Sequence, residues 1–279
     1  MDAIRTLRPP TRARRGIVTA FLIAGGLAGQ TSPLPVAVAQ DFERELRLEA
    51  EIVDAILDGE PVHLEADGHS FLGIYTEAAD GGSDKAVIVL HGRGFHPDWP
   101  EVTAPLRTEL PEYGWDTLSL QMPVLGKSAK YYDYVPILPA AFPRIRAGID
   151  ALRARGARTV ILAAHSCSVH MAMAYVRRHG DAGFDGFIGI GMGATDYGQP
   201  MREPFPLAAM SVPILDLFGD EDYPAVQREA PNRLAAIRSA GNPRSAQRIV
   251  PGAEHYFRDM DDELVGAVTE WLAALPHKI

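Results

Sequence analysis

Three polar residues that lie far apart in the chain have the types and the order needed for nucleophilic catalysis. Ser166, Asp222 and His255 each follow a short apolar run that ends in a turn. A serine hydroxyl near neutral pH is a poor nucleophile, so it needs a base within hydrogen-bond reach and a third group that orients the base. The set therefore predicts Ser166 as nucleophile, His255 as general base and Asp222 as the orienting acid.

The turn at Ser166 can be centred in two ways. A sharp strand-to-helix turn needs small residues two positions before and two positions after its apex. Ala164 and Ser168 meet that need around Ser166. A turn centred on Cys167 would place larger side chains at the crowded positions, so we reject Cys167 as the nucleophile. The alternative for Ser166 is a purely structural one, in which its hydroxyl caps the helix that follows.

Two aspartates are candidates for the orienting acid. Asp222 is favoured because it is the last acidic residue before Pro224, which starts the next predicted helix, and Asp220 is kept as the alternative. An acidic run after a strand is usually a solvated turn, and one loop histidine among nine carries little information by itself. The prediction therefore depends on the combination of serine, acid and histidine and on their order.

A glycine-rich segment could bring the backbone close to the reacting atoms. His91-Gly92-Arg93-Gly94 follows the apolar run 86–90. We predict that the main-chain N–H groups of Arg93 and Cys167 form the oxyanion hole. The spacings of a P-loop, a dinucleotide fingerprint, HExxH and an EF-hand are missing, so we predict neither a metal nor an organic cofactor.

Two segments, 123–139 and 193–210, are predicted to lie over the ends of the strands. Tyr131 and Tyr134 in the first segment and Phe205 in the second are candidate substrate contacts. The alternative is that these aromatic side chains only pack their own loops. Neither segment is long enough for a large lid, which favours an open cleft for small or extended acyl esters.

The elements that must position these residues alternate along the chain. Apolar runs at 86–90, 116–120, 159–164, 184–190, 213–218 and 247–250 predict strands buried on both faces, and most are separated by segments with helical spacing. A helix over 42–57 and a hairpin around Asp67-Gly68 precede them. This pattern predicts an α/β fold, a three-layer α/β/α sandwich with a mainly parallel sheet. Active sites in such folds lie at the carboxyl ends of the strands.

Composition limits the partners and the compartment. The net charge of −9 argues against binding nucleic acid, and the single cysteine excludes an internal disulfide. Residues 1–39 combine five arginines, a short apolar run and the small residues Ala37-Val38-Ala39, which predicts a bacterial export signal cleaved after Ala39. The predicted mature chain, residues 40–279, is one periplasmic or secreted domain without stable membrane insertion. The twin-arginine route and the oligomeric state stay open.

Four short motifs resemble the α/β-hydrolase superfamily: His91-Gly92, the turn around Ser166, the bend Gly219 to Asp222 and the segment Gly252 to His255. The likeness extends from about Pro61 to Leu275, and the stretches His96 to Pro100 and Gly114 to Pro123 are similar to an exported proteobacterial branch. The resemblance implies an α/β-hydrolase fold with a minimal cap. It also implies the catalytic roles given above for Ser166, Asp222 and His255, with oxyanion N–H groups from Arg93 and Cys167.

The sequence departs from that superfamily at the turn, where Gly-x-Ser-x-Gly is replaced by Ala-x-Ser-x-Ser. The predicted function is a carboxylesterase that works through an acyl-serine intermediate on a small-molecule ester. The same triad also serves acyl transfer and the cleavage of thioesters or peptides. A different class of function is left open as well: an exported binding protein that keeps the hydrolase scaffold without catalysis.

Overall fold

Eight strands carry the apolar runs of the sequence. A computed structural model of the chain describes residues 40–275, so the predicted signal peptide lies outside the described residues. The strands are β1 (Glu60–Ala66), β2 (His69–Thr76), β3 (Lys85–Leu90), β4 (Asp116–Leu120), β5 (Thr159–His165), β6 (Gly186–Ile190), β7 (Ile214–Gly219) and β8 (Ala246–Val250).

Seven α-helices flank or connect these strands in residues 40–275. They are α1 (Phe42–Ala55), α2 (Thr103–Glu109), α3 (Tyr131–Tyr134), α4 (Phe142–Ala154), α5 (Cys167–His179), α6 (Pro224–Ala240) and α7 (Asp261–Ala273). Helix α1 stops two residues short of the predicted end, because Ile56 is already extended and Gly59 turns the chain with a φ of +81°. None of these helices is both long and apolar enough to cross a bilayer.

The strands form one sheet in the order β1-β2-β4-β3-β5-β6-β7-β8. Strands β1, β2 and β4 pair antiparallel, and all pairs from β4 to β8 are parallel. The predicted mainly parallel sheet is confirmed, and the predicted hairpin around Asp67-Gly68 forms its antiparallel edge. Because β3 lies between β4 and β5, the chain reverses direction across the sheet there, and the ends of β3 and β5 meet at a point where open α/β sheets bind ligands.

Both faces of the sheet are buried. Alternate residues of β3 point to opposite sides: Ile88 belongs to the cluster that packs on α4, α5 and α6, and Val87 to the cluster that packs on α2 and α7. Trp271 of α7 completes the second cluster. Helices therefore cover both faces, which confirms the predicted three-layer sandwich.

Helix α1 is fastened to the loop that follows β4. Its N-cap residue Asp41 accepts a hydrogen bond from the Arg44 N–H at 3.0 Å and donates its own N–H to the Val124 carbonyl at 2.8 Å. Glu45, in the first turn, forms a buried ion pair with Arg144 of α4 at 2.7 Å. These contacts bring the first helix of the described chain to the edge of the cleft at the strand ends.

Candidate active site

Ser166 stands at the apex of the turn between β5 and α5. Its backbone has a φ of 56° and a ψ of −114°, in the left-handed half of φ space that residues with a Cβ rarely adopt. The Ser166 N–H donates to the Ile190 carbonyl at the end of β6, at 2.9 Å. Ala164 and Ser168 are both buried, as the predicted crowding requires. The turn leaves the half-buried Ser166 side chain facing a cavity.

The structure brings Ser166, His255 and Asp222 together. The Ser166 hydroxyl lies 2.8 Å from His255 Nε2, and His255 Nδ1 lies 2.7 Å from Asp222 Oδ1. A carboxylate can only accept, so Nδ1 carries the proton that it donates to Asp222 and Nε2 is the acceptor for the serine hydroxyl. His255 and Asp222 are 1 % and 3 % exposed, so the hydrogen bond between them is shielded from water.

Two strand ends pack so closely against the loop that carries His255 that they require glycine. A Cβ on Gly191, after β6, would lie 2.7 Å from His255 Cε1. A Cβ on Gly219, at the end of β7, would lie 1.8 Å from the Ala253 carbonyl oxygen. These glycines allow the loops that carry Asp222 and His255 to pack against each other.

The alternative acid, Asp220, has a different position. It is exposed, and its Oδ1 accepts the Gly252 N–H at 2.6 Å. Asp220 therefore fastens the loop after β7 to the loop after β8 and does not contact His255.

Two further histidines, His165 and His91, are buried near Ser166 and His255. His165 donates from Nε2 to the His255 carbonyl at 3.0 Å, and burial lowers the pKa of His165 to about 3. His91, after β3, accepts the Met122 N–H at Nε2 at 2.9 Å, and burial lowers its pKa to about 3 as well. Both rings are therefore neutral supports at ordinary pH.

His91 also orients the predicted oxyanion loop. Its Nδ1 donates to the Gly92 carbonyl at 2.8 Å, and the Phe95 N–H donates to the same oxygen at 3.3 Å. In a trans peptide the N–H points away from the carbonyl, so the Arg93 N–H faces the opposite direction. Within residues 40–275 neither the Arg93 N–H nor the Cys167 N–H donates a hydrogen bond, and both residues line the cavity with Ser166.

The Arg93 side chain has a separate role. It is paired with Asp196, which also accepts the Tyr131 N–H at 2.7 Å. Burial acts to raise the pKa of Asp196, but the hydrogen bonds from Arg93 and Tyr131 outweigh it and hold this pKa below its ordinary value. Asp196 thereby joins the oxyanion loop to both cavity loops. Asp196 could not be recognised from the sequence, because no motif marks it.

The cavity above Ser166 has a volume of about 1050 Å³. Tyr131 and Tyr134, the candidate substrate contacts, line it, and their hydroxyls accept the N–H groups of Arg202 and Leu125 at 3.0 and 2.9 Å. Phe205 is not brought to this cavity. It lines a second cavity of about 290 Å³ and packs on His170 with ring centroids 5.1 Å apart, so its role as a contact above Ser166 does not fit the structure.

Cys167 and Tyr223, which directly follow Ser166 and Asp222 in the chain, differ in burial and in their contacts. The Cys167 side chain is buried, and burial raises the pKa of its thiol to about 12. Tyr223, which follows Asp222 directly, stacks on the His255 ring with centroids 4.1 Å apart and planes 21° apart. Its hydroxyl lies 2.9 Å from that of Tyr256. Sequence reasoning missed Tyr223, although its place beside the acid was a usable signal. In residues 40–275 no group of three or more His, Cys, Asp or Glu side chains is arranged to hold a metal ion.

Solved structures similar to this one are α/β hydrolases. An α/β serine hydrolase homologue from Coxiella burnetii has 18 % identity and a TM-score of 0.58, over 77 % of this chain and 98 % of that chain. A lidless α/β serine hydrolase from Xanthomonas campestris has 18 % identity and a TM-score of 0.60, over 81 % and 99 %. The esterase Est1E from Butyrivibrio proteoclasticus has 14 % identity and a TM-score of 0.58, over 77 % and 98 %.

The chain has the α/β-hydrolase fold. Residues 30–133 also match a family described as a protein of unknown function (DUF3530). The search of curated proteins found no match. At these identities the likeness to solved structures establishes the fold, and the chemistry has to be argued from the site.

Within the α/β-hydrolase fold, the unusual turn of this chain has a structural explanation. The usual second glycine of Gly-x-Ser-x-Gly is Ser168, whose buried hydroxyl donates to the His91 carbonyl. The larger side chain therefore forms a bond between the start of α5 and the end of β3. Ala164, in place of the first glycine, is accommodated in the core at 1 % exposure.

Proposed function

We propose that this chain is a serine hydrolase that cleaves carboxylic esters through an acyl-Ser166 intermediate. The observation that carries the proposal is the continuous pair of hydrogen bonds from Ser166 to His255, at 2.8 Å, and from His255 to Asp222, at 2.7 Å. The likeness to solved serine hydrolases and esterases also supports a hydrolase.

In the acylation step the Ser166 oxygen attacks the ester carbonyl while His255 Nε2 takes the hydroxyl proton. The carbonyl oxygen becomes an oxyanion, which the main-chain N–H groups of Arg93 and Cys167 bind. Each such donor contributes about 3 kcal/mol to transition-state stability in comparable sites. The imidazolium then gives its proton to the leaving alcohol, and the acyl group remains on Ser166.

Deacylation repeats these steps with water. His255 takes a proton from a water molecule that attacks the acyl carbonyl, and returns it to the Ser166 oxygen as the acid leaves. Asp222 holds the imidazole in the tautomer that can accept at Nε2 throughout. Tyr131 and Tyr134 shape the wall against which the acyl or alcohol part packs.

The test is labelling by a fluorophosphonate, followed by hydrolysis of short para-nitrophenyl esters. We expect the label on Ser166 alone, and we expect Ser166→Ala to lower kcat/KM by at least about a thousandfold. Ser70→Ala removes an exposed hydroxyl of β2 and serves as the matched control.

An unlabelled folded protein without ester hydrolysis would refute the enzymatic proposal and favour the alternative of a binding protein on the hydrolase scaffold. Acyl transfer is distinguished from hydrolysis by adding an alcohol acceptor and measuring the ratio of new ester to free acid.

Export belongs to the same proposal. We infer that residues 1–39 direct the chain out of the cytoplasm and are removed after Ala39, which gives a periplasmic or secreted enzyme. Amino-terminal sequencing of the protein recovered outside the cytoplasm should begin at Gln40. An intact Met1 on that protein would contradict cleavage.

A further inference from the structure

The charges around the cavity above Ser166 are opposite in sign to the charge of the whole chain. The cavity is lined by five cationic and two anionic residues: Arg44, Arg93, Lys127, Lys130 and Arg228 against Glu51 and Asp196. The complete chain has a net charge of −9. A uniformly acidic surface would repel an anionic ligand, so the cationic excess is a local property of the cleft.

Arg44 is a half-buried cation of the cleft that two backbone carbonyls hold in place. It reaches from α1 and donates from Nη2 to the Gly94 carbonyl at 2.6 Å and from Nη1 to the Leu125 carbonyl. Both partners are neutral, so these bonds fix the guanidinium in place without cancelling its charge. Among the side chains of residues 40–275, no carboxylate forms an ion pair with Arg44. A guanidinium has five N–H donors, so donors remain for a ligand.

The other charges leave this excess in place. Asp196 is already paired with Arg93, and Lys130 Nζ lies 3.7 Å from its Oδ1. Lys127 and Glu51 are exposed at the rim. Arg228, also exposed, has only a loose contact of 3.6 Å with Glu229. The cleft therefore presents the Arg44 guanidinium, which is held by neutral partners beside the oxyanion loop, and the exposed side chains of Lys127, Lys130 and Arg228.

We propose that the substrate is an ester whose acyl part carries a negatively charged group, a carboxylate or a phosphate, that binds Arg44. The Arg44 guanidinium donates to the carbonyl of Gly94. Gly94 directly follows Arg93, whose N–H is the predicted oxyanion donor, so the guanidinium lies beside that loop. Arginine suits this task because its planar fork binds a carboxylate or phosphate through two parallel hydrogen bonds. Lys127 and Lys130 attract the anion to the mouth of the cleft. This inference rests on the proposed hydrolase function and specifies its substrate class.

The experiment compares two esters of the same shape. One is the mono-para-nitrophenyl ester of glutaric acid, and the other has an isopropyl group in place of the free carboxylate. We expect kcat/KM to favour the anionic ester by about tenfold, the size of a charge-assisted hydrogen bond. Added salt should reduce the preference, because screening weakens the attraction by the rim cations.

Variants test which side chain causes the preference for the anionic ester. Arg44→Gln should bring the ratio of kcat/KM for the two esters to about one, and Lys127→Glu should lower it in part. Because Arg44 also supports the Gly94 loop, its loss could slow both esters equally, but a structural effect of that kind leaves the ratio unchanged. Arg146→Gln, an exposed charge on α4 outside the cavity, is the matched control and should retain the wild-type ratio.

The outcomes separate the two proposals. Hydrolysis of both esters with no preference for the anionic one, or a preference that survives Arg44→Gln, overturns the inference and leaves the hydrolase proposal standing. Failure to hydrolyse either ester, with no fluorophosphonate label on Ser166, removes the hydrolase proposal and the inference with it.

Discussion

At the scale of single residues, the site depends on a strained serine held by its surroundings. A φ of 56° in a residue with a Cβ costs about 1–3 kcal/mol, and it persists only where the neighbouring structure compensates. Here the compensation comes from the hydrogen bond between Ser166 and Ile190 and from the buried helix that begins at Cys167. The strain presents the hydroxyl to His255 and the next N–H to the cavity at the same time.

The buried thiol next to Ser166 should be inert. Because burial raises the pKa of Cys167 to about 12, almost none of it is thiolate at mildly alkaline pH. We expect iodoacetamide to leave the native protein unmodified and to alkylate Cys167 only after unfolding, as measured by mass spectrometry. Cys167→Ala should retain most of the esterase activity, since only the main-chain N–H is used. Alkylation of the folded protein would show that the thiol is accessible.

The ring of Tyr223 should matter for turnover. It stacks on His255 at 4.1 Å, and such contacts contribute about 0.5–1.5 kcal/mol beyond simple burial. We expect Tyr223→Leu to lower kcat by roughly tenfold with a smaller change in KM, because the imidazole loses its support. Tyr223→Phe keeps the ring and should restore most of kcat. Equal losses in both variants would assign the effect to the hydroxyl and its contact with Tyr256.

At the scale of elements, the proposed catalytic groups belong to four different strand ends that must keep their relative positions. Short side-chain bonds connect these ends: Ser168 connects α5 to the end of β3, and Asp220 connects the loops after β7 and β8. The register of a parallel sheet brings the strand ends close together. Side-chain bonds between the ends then fix the positions of the groups to within about an ångström.

Loss of the bond from Ser168 should therefore affect rate more than folding. Ser168→Ala leaves the buried His91 carbonyl without that donor, which costs about 1–2 kcal/mol of stability. We expect kcat to fall by about tenfold, since the loop of Arg93 is no longer tied to the start of α5. Thr269→Val removes a hydroxyl that bonds only within α7 and serves as the control for thermal melting and kinetics. Unchanged kcat in Ser168→Ala would show that the bond is only structural.

The strands and the positions of Ser166, Asp222 and His255 at the strand ends could be predicted because their signals are local. Runs such as 116–120 match the strand Asp116–Leu120, and Ser166, Asp222 and His255 each stand next to such a run. The contacts of Arg44 with Gly94 and of Ser168 with His91 could not be predicted in this way. They join residues 50 and 77 positions apart, and no spacing rule connects a helix side chain to one particular distant carbonyl. The position of Phe205 could not be predicted for the same reason. Its segment packs toward His170 and away from the cavity above Ser166.

At the scale of the whole molecule, α1 is integrated into the domain through a buried ion pair. Glu45 and Arg144 have side-chain exposures of 8 % and 4 % and lie 2.7 Å apart. Removing one partner of such a pair leaves the other as an uncompensated buried charge, which costs about 3–5 kcal/mol.

We expect Glu45→Ala to lower the free energy of unfolding by about 3 kcal/mol in urea titrations. The double variant Glu45→Leu with Arg144→Met should recover much of that loss, because neither charge is then buried alone. Asp84→Asn, in an exposed pair with Arg158, is the control and should cost less than about 1 kcal/mol. A loss in Glu45→Ala no larger than that of the control would mean that α1 is held by its apolar contacts with Leu72 and Ile74 instead.

The fastening of α1 has a consequence for how the protein would be degraded. Trimming by an exopeptidase from the predicted mature terminus would first remove Gln40 and Asp41, and with Asp41 the helix cap and its tie to Val124. Further digestion would remove Arg44 and then Glu45, so the proposed binding site for charged esters and the counter-ion of Arg144 would be lost in consecutive steps. The preference for charged esters and the resistance to digestion should therefore decline in parallel.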